Sequence, residues 1–199
     1  MTVYQYPHTI DNGDGERLTF LRRVGDRVEV ENFVEPTVGP PMHVHHYQRE
    51  VLTVQSGRIG YQRVGEPAQY AGPGETVAFE AGEVHRFWNA GTEPLHCRGF
   101  IDPVDNIEFF LGELFAMRSE RRSRLDSLFR LAYLSVRYRS EFEATVIPTF
   151  VRRGVFPLIK ALGHLLGRYG RYADAPEPVK RQSAAPRARQ VNDGLPSPT

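Results

Sequence analysis

Two hydrophobic periodicities follow one another along the chain. From Glu16 to about Asp102, short β-prone runs are punctuated by Gly, Pro or Asp. Val28 and Val30 alternate with charged Arg27, Glu29 and Glu31, the period-2 pattern of a half-buried strand. Leu18–Val24 and Arg27–Val34 flank Gly25-Asp26, and Val51–Gln55 and Arg58–Val64 flank Ser56-Gly57, so two hairpins are predicted. Thr76–Phe79, Val84–Asn89 and Leu95–Ile101 complete the strands. Many short strands with close turns predict a sandwich or barrel. After Pro103 the period changes to i, i+3, i+4, i+7, with Ile107, Phe110, Leu111, Leu114 and Phe115 on one stripe. Leu125, Leu128, Phe129, Ala132 and Val136 form a second stripe, and Pro148 interrupts it. Val155, Leu158, Ile159, Leu162, Leu165 and Leu166 form a third, with Pro157 in its first turn and Gly167 or Gly170 as its stop. The expected architecture is mainly β plus α, a small barrel followed by about three helices.

Composition and charge refine this picture. The 199 residues are 40% hydrophobic and 25% charged, ordinary for one domain with an appendage. Residues 1–117 carry 9 Arg and no Lys against 17 carboxylates, whereas residues 118–171 carry 11 Arg and one Lys against 4. Opposite charge on the two stretches suggests two structural units. The boundaries expected are an N-terminal segment 1–15, a barrel 16–105, a helical extension 106–172 and a disordered tail 173–199, since the last stretch lacks an apolar face to bury. No apolar run approaches the ~20 residues of a membrane span, and MTVYQYPHTI has neither the basic start nor the apolar core expected of a secretory leader. The single cysteine, Cys97, excludes an internal disulfide and a cysteine-rich zinc site and fits a cytoplasmic location. Cys97 reads as a small buried hydrophobe. A net charge of +1 does not suit a nucleic-acid binder.

Candidate chemistry sits in two clusters. His43 and His45, two apart, share one face of a strand. Polar His46-Tyr47-Gln48-Arg49 then turns the chain so that Glu50 faces the same interior. His85 follows the tight turn at Gly82 and can reach the same point from across a closed sheet. Imidazoles and a carboxylate on one concave face suit a first-row divalent metal. His46 reads as a surface residue.

The spacing His43-x-His45-x4-Glu50-x6-Gly57 resembles the first motif of the cupin superfamily, and Gly74-x5-Glu80-Ala81-Gly82-x2-His85-x3-Asn89 resembles the second. Two turn positions depart from the pattern: three residues rather than five separate Gly39 from His43, and Glu80 stands where the family has Pro. The resemblance covers roughly residues 15–105 and implies a double-stranded β-helix, or jelly-roll barrel. It also implies that His43, His45, Glu50 and His85 hold one divalent transition metal (iron, manganese, nickel, copper or zinc). Tyr61, Phe79, Phe87 and Arg98 are candidate pocket residues, and Glu50 is a candidate base. The function expected is a metal-dependent enzyme acting on a small organic molecule, of dioxygenase type. The alternatives are a cupin isomerase or epimerase, or a non-catalytic metal- or ligand-binding cupin whose helices mediate assembly. The apolar helical stripes need cover, so a homodimer is expected, with peripheral membrane contact through the basic helices as the competing reading.

Overall fold

A computed structural model describes residues 4–120 and 123–180. The strands are β1 (His8–Asp11), β2 (Glu16–Val24), β3 (Arg27–Val34), β4 (His43–His45), β5 (Arg49–Ser56), β6 (Ile59–Arg63), β7 (Gln69–Ala71), β8 (Thr76–Phe79), β9 (Val84–Asn89), β10 (Leu95–Asp102) and β11 (Phe142–Ala144). The helices are α1 (Ile107–Ser119), α2 (Arg124–Arg137) and α3 (Phe156–Leu165), the last preceded by a π-helical turn at Val151–Val155. One antiparallel sheet has the order β1-β2-β3-β10-β5-β8, the other β11-β4-β9-β6-β7. From β3 to β6, and again from β7 to β11, consecutive strands switch between the sheets, as in a jelly roll. The first hairpin read from the sequence forms, with Val24 opposite Arg27 across Gly25-Asp26. The second does not, because the Ser56-Gly57 turn carries the chain from one sheet to the other, so that β5 pairs with β10 and β8 while β6 pairs with β9 and β7.

Two apolar clusters fill the molecule. Val34, Leu52, Val54, Ile59, Phe79 and Leu95 close one end of the barrel. At the other end Phe20, Val30 and Ile101 pack against Ile107, Phe129, Tyr138 and Phe142 of the helical segment. Each such side chain removed from water stabilises the fold by about 1.5–3 kcal/mol. The helices therefore plug the barrel.

Three boundaries differ from the sequence reading. Residues 1–15 are not merely a leading segment, because β1 pairs with β2 (Thr9 opposite Thr19). The stretch after 105 is not purely helical, because β11 pairs with β4 along its whole length. Three residues are too few to show a period of two, which hid this strand. The chain stays ordered past Ala173: Tyr138 and Ser140 hydroxyls donate to the Pro176 and Val179 carbonyls, and Val179 N–H donates to Glu141. Backbone groups hold this strap, so a lack of apolar residues did not forbid it. The rest of the expected tail lies outside the described residues.

The charge asymmetry has a local outlet. Buried Arg130 on α2 bonds Glu113 and Glu120, at 3.2 and 2.8 Å, and Arg171 reaches the same two carboxylates. The basic stretch is thus tied to the end of the acidic one through α1.

Candidate metal centre

His43 and His45 point inward from β4, and Val44 between them faces away, as strand alternation requires. Two glycines place this strand. A Cβ on Gly39 would lie 2.2 Å from the Phe87 carbonyl, so the loop before His43 can lie on β9 only without a side chain. Gly82 turns at φ +84° and donates its N–H to the His45 carbonyl at 2.8 Å. The register then sets His43 directly opposite His85. Glu50 comes from the other sheet, opposite Phe79 and Ile101. One potential ligand atom from each of His43, His45, Glu50 and His85 lies within 4.8 Å of the others, so the four residues that the motifs point to meet at one place.

The surroundings prepare these groups as ligands. Nδ1 of His43 lies 2.8 Å from the Pro41 carbonyl and Nδ1 of His85 lies 3.0 Å from the Glu83 carbonyl. These contacts fix the two rings, and Nε2 of His85 lies 3.2 Å from the Glu50 carboxylate. Burial pushes the His43 imidazole down to about 4 and that of His45 to about 3, so both are neutral at pH 7. Burial alone would raise Glu50. The His85 hydrogen bond at 3.2 Å and the three neighbouring imidazoles outweigh it and hold this carboxyl at about 2. Two neutral imidazoles, the His85 ring and one carboxylate meet in this buried site, a donor set that suits a divalent cation. Nδ1 of His45 is buried without a hydrogen-bond partner, a polar atom left unanswered by the chain. The residues fit the metal that the fold implies.

Stacking sets ring orientation. Phe79 lies flat on His85 at 3.9 Å, and Phe142 of β11 meets His45 edge-on at 5.6 Å. Asn89, at the end of the second motif, ties the sheets together by donating to the Val34 carbonyl at 2.8 Å.

The cluster lies at the wall of a cavity of about 640 Å³. His43, His45, Glu50, Leu52 and Phe87 line its barrel side, and Phe110, Leu114 and Phe115 line its helical side. Of the four pocket residues expected, only Phe87 lines this cavity. Phe79 is fully buried behind His85. The Tyr61 hydroxyl donates to Gln69 at 3.0 Å, away from the cavity wall. Arg98 points out of the sheet and pairs with Glu31 at 2.8 Å, because its strand neighbours Cys97 and Gly99 take the inward positions. His46 lies 3.7 Å from Glu143, outside the ligand set.

Glu16 and Asn32 were missed. Both line the cavity, and Asn32 Nδ2 donates to Glu16 at 3.2 Å. Burial raises the Glu16 carboxyl to about 6. The signal was present: Glu16 shares strand parity with Leu18 and Phe20, so the same alternation that buries them turns it inward.

Residues 32–101 match the family model described as the cupin domain. The barrel of this chain is a cupin domain, carrying a His-His-Glu-His cluster that can bind a metal ion. Solved structures show similar barrels over about half of the chain. An uncharacterized conserved protein with a double-stranded β-helix domain from Klebsiella pneumoniae is 21% identical over 52% of this chain and 77% of its own, at a TM-score of 0.40. A cupin-superfamily sugar phosphate isomerase from Silicibacter pomeroyi is 22% identical over 45% and 60%, at 0.42. KdgF from Halomonas sp. is 14% identical over 52% and 99%, at 0.46. Likenesses this distant say nothing of the activity of this chain. No curated protein matches it.

Proposed function

We propose that this chain is a metal-dependent enzyme that binds a small, largely apolar organic molecule and promotes a dioxygenase-type reaction on it. The observation that carries this reading is the convergence of three imidazoles and a carboxylate at the wall of a mainly apolar cavity. Iron, manganese, nickel, copper or zinc suits that donor set. A bound divalent ion would supply Lewis acidity and open positions for a chelating oxygen and O₂.

The chain's own residues would do the rest. Leu52, Phe87, Phe110 and Phe115 exclude water and hold the apolar body of the ligand. Glu50 was the base expected from the sequence, but a carboxyl held at about 2 accepts a proton poorly. Glu16, about 6 and on the same cavity wall, is matched to proton transfer near neutral pH. Asn32 and Asn12 hold its two oxygens and so fix its direction.

The test is oxygen uptake by metal-loaded protein offered apolar catechols and enols. The reading expects uptake that follows metal content and is lost in His85→Ala. Tight binding of these compounds without uptake would support a non-catalytic ligand-binding cupin instead.

A further inference from the structure

The segment from Thr145 to Ala173 contains no Asp or Glu, yet holds Arg152, Arg153, Lys160, Arg168 and Arg171. It is also where large apolar side chains reach the surface. Phe150 is 71% exposed, Leu158 73% and Leu165 85%, with Val146, Leu162 and Leu166 also exposed. α3 has two apolar faces. Phe156, Ile159 and Gly163 turn toward the core, and the ring of Tyr169 sits where a Cβ on Gly163 would stand. Leu158, Leu162 and Leu165 recur at i, i+4 and i+7 on the opposite face. Packing within the chain has therefore used one stripe and left the other uncovered.

Three occupants compete for this face. A second copy docked about a twofold axis would set the basic segment against itself, with no carboxylate in the segment to neutralise it. The rest of the chain beyond Lys180 offers only Val191 and Leu195 as large apolar residues and adds three arginines. An anionic lipid surface matches both properties: it takes up the leucines and Phe150 and attracts the cations around them. Arg152 is occupied by Glu143 and the Ile147 carbonyl, and Arg171 by Glu113 and Glu120. Arg153 and Arg168 are exposed on the segment.

We infer that the Phe150–Leu166 face docks on the surface of an anionic bilayer, lying in the interface rather than crossing it. No helix among the described residues is long and apolar enough to cross a membrane. The docking face is continuous with the cavity, since Val146, Ile147, Arg152 and Arg153 belong to this segment and line that space. An apolar molecule dissolved in the bilayer would meet the cavity rim directly.

The experiment is co-sedimentation of the full chain with vesicles of phosphatidylcholine, with and without phosphatidylserine, alongside light scattering. Binding should require the anionic lipid and weaken with added salt. Arg153→Glu with Arg168→Glu should weaken it about tenfold or more. Leu158→Glu with Leu165→Glu should abolish it, while circular dichroism and bound metal stay unchanged because both leucines are exposed. Failure to bind anionic vesicles, or equal binding to neutral ones, would overturn the inference. So would a stable dimer that the two leucine replacements dissociate, because the face would then be a self-interface.

Discussion

Glu16 shows how one buried side chain couples the cavity to pH. Its carboxyl titrates at about 6 in the fold against 4.5 ordinarily, because burial disfavours the charged form. A raised acid stabilises the fold fully below pH 4.5, and that contribution is lost as pH rises through 6. The shift corresponds to about 2 kcal/mol. Glu16→Gln should remove this loss, so the stability of the variant relative to the parent should grow between pH 4.5 and 6. Urea unfolding across that range checks it, and parallel pH profiles would refute the assignment. At this scale much was legible. Strand parity sets His43 and His45 on one face, and the resemblance to the two cupin motifs added Glu50 and His85 from other strands. Arg98 was not legible, since which parity faces inward on β10 is set by its pairing with β3 and β5, a nonlocal fact.

At the level of elements, β11 is the piece that joins the helical segment to the site. Phe142, 2% exposed, stacks on Phe110 at 4.4 Å and meets the His45 ring. Phe142→Ala should cost about 3–5 kcal/mol, the usual cost of emptying a buried aromatic site. It should also weaken metal retention, since one ligand ring loses its support. Equilibrium unfolding with a metal assay tests both, and a loss under about 1 kcal/mol would mean β11 is peripheral. Apart from β7, a three-residue strand too short to show a period, the strands of the barrel and the three helices were legible because most carry several residues of one period. β1, β11 and the π-helical turn at Val151–Val155 were not, because their pairing or packing is decided by distant partners. The second stripe of α3 was visible as hydrophobicity, but only the structure separates its buried face from its exposed one.

Taken whole, the barrel and the helical segment share one apolar cluster despite the divided charge. The apolar cluster of Leu18, Phe20, Val28 and Ile101 is closed by Ile107, Tyr133, Leu134 and Tyr138. A chain ending at Asp105 would expose that cluster and leave β4 without a neighbour on one side. It should fail to unfold cooperatively, as monitored by near-ultraviolet circular dichroism during heating. The full chain should show one transition for barrel and helices together. A shortened chain that melts as sharply as the whole would establish two independent domains.

The central claim is that the cupin cluster is a working metal site. Elemental analysis of the full chain, set beside its His43→Ala/His45→Ala variant after identical metal loading and dialysis, tests it most directly. The account predicts about one divalent transition metal per parent chain and none retained by the variant, with the circular dichroism spectrum of the barrel preserved. Equal metal content in the two proteins, or a parent chain that retains none, would contradict it.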